Sequence, residues 1–304
     1  MPYLSFLFIC AVWGASFILM ERASHALGPV AIATSRLLGG ALVLAVYRWF
    51  NPQRMKLSLA AWGHILLVAL LANALPFVIQ PYVMTQAGEH GYFGMMVALV
   101  PLATMMASIP MLGIWPSRRQ LFGVLGGIAC LAAAVYDGSN RGIPPGLLAL
   151  ALSVPLSYAI GNTYIKWKLD HMPPLVLTIN FLAVGGLLLL PLQFSPTALA
   201  AMHLEGPALP HDWTLAIASV AFLSVVGTGI AILLFIQLVK HQGPLFAGMV
   251  TYVVPVLALF WGQYDNERLT GTQLLAIGGV LAMVAFVQWG AAEPIPSTLE
   301  PLPD

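Results

Sequence analysis

About ten apolar stretches, each long enough to cross a bilayer, follow one another along this 304-residue chain with only short polar breaks between them. They lie near residues 3–21, 30–50, 59–81, 91–114, 119–136, 144–165, 174–194, 213–239, 244–263 and 270–290. A spanning helix needs about 20 mostly apolar residues, whereas a barrel strand needs only about 10, so runs of this length read as helices. Only 8% of residues are charged, against roughly 25% in a soluble domain. Most of the surface must therefore face lipid, where the backbone has to satisfy its own hydrogen bonds. The expected fold is an all-α integral membrane protein with the lipid bilayer as its surroundings.

Turn chemistry punctuates the breaks: Gly28-Pro29, Asn51-Pro52, Trp115-Pro116, Asp137-Gly138-Ser139-Asn140, Pro173-Pro174, Gly243-Pro244 and Asp265-Asn266. The longest break, near 195–212, reads as an ordered loop outside the bilayer, and the Pro-rich, acidic tail 291–304 as a disordered segment. Trp49, Trp62, Trp115, Trp167, Trp213, Trp261 and Trp289 stand near segment ends, as an aromatic belt requires; Trp13 stands at midspan. With the N-terminus in the cytoplasm, the cytoplasmic connections carry Arg48, Arg54, Lys56, Arg118, Arg119, Lys166, Lys168 and Lys240. The opposite side carries Arg22, Arg141 and Arg268, a positive-inside bias that puts both termini in the cytoplasm of a cell whose plasma or inner membrane the chain spans. The start of the chain lacks a basic n-region, so its first apolar run reads as a retained helix. A net charge of +1 offers nothing to nucleic acid, and Cys10 and Cys130, both in apolar runs, do not make a disulfide framework.

The chain also repeats itself. Gly94-Met95 precedes Val100-Pro101 by the same spacing as Gly248-Met249 precedes Val254-Pro255, and Gly126-Gly127-Ile128 is answered by Gly278-Gly279-Val280. A shift of 145 residues places Trp13 on Tyr158, Pro29 on Pro174 and Gly40 on Gly185. Two halves, 1–138 and 142–290, each hold about five spans. With an odd number of spans per half, the second half enters the membrane from the opposite side, the inverted-repeat plan of many carriers. Gly123 and Gly127, and Gly278 with Ala282, give small-residue faces that permit close helix contacts, within one chain or in a homo-oligomer.

These anchors resemble the drug/metabolite transporter superfamily, and specifically its EamA-type members. The resemblance rests on Trp13-Gly14-Ala15-Ser16-Phe17, on Ser35-Arg36-Leu37-Leu38, and on Val254-Pro255-Val256-Leu257-Ala258 followed by Glu267-Arg268-Leu269-Thr270-Gly271. It implies a ten-helix carrier with a central cavity, often an exporter of amino acids, related metabolites or toxic compounds. The first half departs from the pattern: Gly113-Ile114-Trp115-Pro116-Ser117-Arg118 stands where a Gly-Glu-Arg-like ending would be, so any role of that acidic residue is available only at Glu267.

An ionisable group at midspan costs roughly 2.5–3.5 kcal/mol on insertion scales, and Arg36 is the one Lys or Arg inside a span. Seven residues past Pro29, it lies about 10 Å into its helix. It either binds an anionic group such as a carboxylate, or snorkels outward, or pairs with Glu21. Asn73, Phe77 and Gln80 share one face of the third span, which Pro76 and Pro81 interrupt. A proline frees a carbonyl, and a broken helix is tolerated only against protein or a wet cavity. Trp13, Ser16, Phe17 and Met20 share a face whose repeat counterparts include Tyr158 and Asn162, either a stacking surface or core packing. Ser224 and Thr228 on the eighth span, with Thr251 and Tyr252 on the ninth, complete the cavity candidates; Pro101 and Pro255, at matched positions, are hinges or fixed kinks.

Gly14-Ala15-Ser16-Phe17 has the G-x-S-x form of a membrane serine protease, but every histidine lies near a segment end or in a loop, so no base reaches Ser16. His and Cys pairs at metal-site spacing are absent from the sequence, as is a nucleotide-binding loop. The expectation is a secondary transporter, without cofactor or metal, that takes a neutral, zwitterionic or amphipathic small molecule. A passive channel or a lipid-handling protein is the alternative.

Overall fold

A computed structural model describes residues 2–53, 55–87, 97, 99–135, 144–262 and 271–288. Gly94-Met95, Arg54, Asp137–Asn140, Arg141, Glu267, Arg268, Trp289 and the 291–304 tail lie outside the described residues. The helices are α1 (Pro2–Ser24), α2 (Pro29–Phe50), α3 (Leu59–Ala69), α4 (Leu75–Ala87), α5 (Val100–Leu112), α6 (Arg118–Val135) and α7 (Pro145–Lys168). They continue with α8 (Pro174–Gln193), α9 (Pro196–Ala201), α10 (Trp213–Phe222), α11 (Ala231–Gln242), α12 (Pro244–Gly248), α13 (Val250–Gly262) and α14 (Gly271–Gln288). A π-helical turn, Leu70–Ala74, joins α3 to α4, and a second, Leu223–Ile230, joins α10 to α11.

Six of the described helical segments are long and apolar enough to cross a membrane, and shorter apolar helices accompany them. The described segments follow the ten expected spans. Many begin on a proline (Pro29, Pro145, Pro174, Pro244), whose missing N–H is not needed in a first turn. The Ser58 hydroxyl caps α3 by accepting from the Ala61 amide at 3.1 Å. Trp49, Phe50, Leu59, Phe122 and Leu275 are exposed on the outside of the bundle, as a lipid-facing surface requires.

The packing exchanges the two halves. The second and seventh spans, α2 and α8, pack on each other, as do the fifth and tenth, α6 and α14. The contact of α1 with α13 is answered by that of α7 with α5, and α2 against the Leu223–Ile230 turn by α8 against α3. Each of these pairs thus maps onto itself or onto another observed pair under a two-fold exchange. With five spans per half, the axis of that exchange lies in the membrane plane.

One end of the bundle is tied by a buried lysine. Lys240 Nζ donates to the carbonyls of Leu169 at 2.8 Å and Asp170 at 2.9 Å, and also to that of Met172, past the C-terminus of α7. A cation at a helix C-terminus satisfies carbonyls that have no intrahelical donor. Hydrogen bonds to a charged group contribute about 1.5–3 kcal/mol each. Lys240→Met is therefore expected to lower stability by about 3 kcal/mol, read as a lower melting temperature in detergent.

Candidate functional site

The π turns hold matched positions: a shift of 153 residues places Leu70 on Leu223. A π turn opens the hydrogen-bond ladder and leaves a carbonyl in need of a donor, and such turns are frequent at functional sites. Ser157 of α7 supplies that donor to the Leu71 carbonyl at 2.6 Å, and Trp13 Nε1 of α1 to the Gly227 carbonyl at 3.0 Å. Helices α1 and α7 are matched, and each serves the π turn of the other half. Asn73 sits in the first turn; Ser224 and Thr228 sit in the second.

A cavity of about 80 Å³, lined mainly by apolar atoms, lies against the first turn and against α11 just past the second. On that measure a single water needs about 10–15 Å³, so the space suits several waters or one small solute. Trp13, Ser16, Phe17 and Arg36 from α1 and α2 line it, with Asn73, Phe77 and Gln80 on the π turn and α4. Tyr158, Asn162 and Thr251 come from the second half. A smaller recess shares Phe17, Gln80 and Val97 with the cavity and continues along α4 to Val83 and Met84.

Arg36 is the electrostatic centre of this wall. It is 4% exposed, and its neighbours are neutral: Nε donates to Thr228 Oγ1 at 3.3 Å, Nη1 to Met20 Sδ at 3.1 Å, and Cζ stands 4.2 Å from the Phe77 ring centroid. Glu21 is engaged instead by His25 at 2.9 Å and Arg22 at 3.3 Å. Among the described residues no carboxylate pairs with Arg36. A cation over an aromatic face gains up to about 2 kcal/mol when desolvated, less than the several kcal/mol that burial of the charge costs. Another polar group is also open toward a ligand: the Asn73 amide nitrogen is buried and finds no hydrogen-bond partner among the described residues. The Gln80 side chain instead meets the Tyr158 hydroxyl.

The remaining candidates sit otherwise. Thr228 is behind the wall, holding Arg36. Tyr252 points away from the cavity: its hydroxyl donates to the Val124 carbonyl at 2.8 Å, and its ring packs against Gly127. Thr251, the residue before it, lines the cavity in its place. Pro76 stands just past the first π turn, Pro101 lies in the first turn of α5, and Pro255, inside α13, removes the amide donor for the carbonyl of Thr251 in the cavity wall. The Gly123–Gly127 face is used within the chain, since a Cβ on Gly123 would meet Val287 and one on Gly127 would lie 2.6 Å from the Tyr252 ring, whereas a Cβ on Gly278 would meet nothing within 4 Å. Phe181 and Phe235 also line the cavity, Phe235 with its ring 5.0 Å from that of Trp13. Only the period of the spans could have pointed to them, and helices apolar all round show almost none. Ser16 donates to the Val12 carbonyl at 2.8 Å, and among the described residues no histidine lines the cavity.

The sequence profile of the EamA-like transporter family matches residues 1–136 and 145–289, one match in each half. The chain belongs to the EamA-like transporter family. An uncharacterized inner membrane transporter of Escherichia coli (strain K12), YedA, is 25% identical over 285 residues, covering 92% of this chain and 88% of its own. An uncharacterized transporter of Bacillus subtilis (strain 168), YvbV, is 25% identical over 284 residues, with the same 92% and 88% coverage. A WAT1-related chloroplastic protein of Arabidopsis thaliana is 23% identical over 90% of this chain and 66% of its own. A solved crystal structure superposes with a TM-score of 0.74 at 16% identity, over 95% of this chain and 97% of that one, and supports the fold. The chain is thus a multi-pass transporter of this family.

Proposed function

We propose that this chain exports a small amphipathic metabolite with an anionic group, such as an amino acid or a related carboxylate, by alternating access at the central cavity. The observation that carries the reading is Arg36, a buried guanidinium in the cavity wall with only neutral neighbours among the described residues. A bound carboxylate would supply the counter-charge in a dry site, where such a pair is strong and geometrically selective. Trp13, Phe77 and Phe235 would hold the apolar part of the cargo. Export, and amino acids as the class, rest on the family resemblance; cytoplasmic termini rest on the distribution of Lys and Arg; the cell membrane as location draws on YedA's description as an inner membrane transporter. In this reading the two units, 1–138 and 142–290, rock about the cavity, and the Lys240 clasp breaks when its end opens. A transport role and not an enzymatic one is part of this reading, in keeping with the Ser16 hydroxyl being engaged by the Val12 carbonyl.

The test is counter-flow in proteoliposomes with a panel of labelled amino acids, other carboxylates and their neutral amides. Saturable flux stimulated by solute on the opposite side, and selective for carboxylates over their amides, is expected. Flux of no solute, or ohmic conductance as in a channel, overturns the reading. Trp13→Ala is expected to raise the KM of the preferred solute about tenfold, as loss of one desolvated aromatic contact of about 1–1.5 kcal/mol requires.

A further inference from the structure

Two connections distant in sequence meet at the end of the bundle where α2 begins. The His211 amide donates to the His25 carbonyl at 3.0 Å, joining the α1–α2 turn to the connection that leads into α10. The rings of His25 and His211 stack there, with centroids 4.7 Å apart and planes 18° apart. Asp212 Oδ2 lies 3.8 Å from His25 Nδ1 and 3.9 Å from His211 Nε2. One ligand atom from each of the three residues falls within 4.8 Å of the others.

Their partners set which nitrogens carry protons. Glu21 Oε1, an acceptor, lies 2.9 Å from His25 Nε2, so Nε2 carries the hydrogen and Nδ1 of the neutral ring keeps its lone pair. That Nδ1 is buried and finds no hydrogen-bond partner among the described residues. The Leu209 carbonyl, another acceptor, lies 3.4 Å from His211 Nδ1, which leaves the lone pair of His211 on Nε2. Both free nitrogens lie within 4 Å of the same carboxylate oxygen, so three acceptors come together, and among the described residues no hydrogen bond joins them. A proton on either ring would not close the gap, since 3.8–3.9 Å exceeds hydrogen-bond length.

We propose that His25, His211 and Asp212 bind a divalent transition metal, with zinc the best fit. Two imidazoles, one carboxylate and a water make a tetrahedral set, and zinc bond lengths near 2.0–2.2 Å put ligand atoms about 3.3 Å apart. Rotation of the exposed His211 and Asp212 side chains closes the remaining distance. Glu21, held on its other oxygen by Arg22 at 3.3 Å, is the outer carboxylate that orients a metal-bound histidine. The metal clamps the long connection onto the turn that starts α2, the helix that carries Arg36. Spacing along the chain hides such a site, because its ligands come from opposite halves.

The test is titration of the full-length chain, purified in detergent through a histidine-free tag, with Co²⁺ followed by competition with Zn²⁺. One Co²⁺ per chain with intense tetrahedral d–d absorption, displaced by Zn²⁺, is expected. His211→Ala should abolish that absorption; being on an exposed side chain, it leaves the fold intact. Glu21→Gln should weaken binding about 10–100-fold. His241→Ala, exposed and distant in the bundle, should bind as the parent does. No saturable binding, or binding unchanged by both His25→Ala and His211→Ala, overturns the proposal.

Discussion

Arg36→Gln is expected to reduce transport of a carboxylate-bearing solute by about 100-fold or more, without lowering the melting temperature of the protein. Truncating one partner of a desolvated, hydrogen-bonded charge pair costs about 2–5 kcal/mol, or roughly 30- to several-thousand-fold in affinity. The stability half of the expectation separates a binding role from a structural one. Arg36 has no carboxylate partner among the described residues, so its removal also removes a buried, uncompensated charge. Stability should hold or rise while flux collapses, the signature of a site maintained for function at the expense of stability. Arg36→Lys keeps the charge but loses the planar face over Phe77 and the two-pronged grip on a carboxylate, so it should retain only a fraction of the flux. Parent-like transport of the carboxylate by Arg36→Gln would refute the assigned role, and a large fall in melting temperature would make Arg36 a structural residue.

Arg36 was legible in the sequence because it is the one Lys or Arg within a span, and Trp13 with Tyr158 because the repeat aligns two aromatics at midspan. The face of Asn73, Phe77 and Gln80 was legible from helical spacing and meets the cavity as a unit. What the sequence does not display is where a helix loosens. Pro76 signals a break just past the first π turn, but not its π form, and no proline marks Leu223–Ile230; both insertions are met by donors from other helices, Ser157 and Trp13. Phe181 and Phe235 were hidden for a related reason: in a span apolar on all sides, side-chain type does not tell lipid from cavity. Tyr252 shows the converse. As a polar aromatic beside Thr251 it reads as cavity-facing, yet its hydroxyl is used by a backbone carbonyl of α6.

Gly40→Val should be strongly damaging although it lies away from the cavity wall. A Cβ at Gly40 would lie 2.9 Å from Thr228 Cγ2, 3.1 Å from the Gly229 amide nitrogen and 3.2 Å from the Ser224 carbonyl oxygen. The last two are backbone atoms of the second π turn and cannot rotate away. The Ser224 hydroxyl lies 2.7 Å from the Val220 carbonyl and 3.0 Å from that of Ser35, and shares its one proton between its own helix and α2. Overpacking of this kind costs about 1–3 kcal/mol, and any shift of Thr228 withdraws the hydroxyl that holds Arg36. Melting temperature and flux should therefore fall together, unlike the divergence expected for Arg36→Gln. Two glycine substitutions give the comparison. Gly185, the repeat counterpart of Gly40, would bring a Cβ no closer than 3.4 Å to its neighbours, so Gly185→Ala should be tolerated. Gly63 has nothing within 4 Å, so Gly63→Ala should gain about 0.5–1 kcal/mol of helix stability. If Gly40→Val melts where the parent does and transports at the parent rate, the second π turn is not held by this contact, and α2 does not position Arg36 through it.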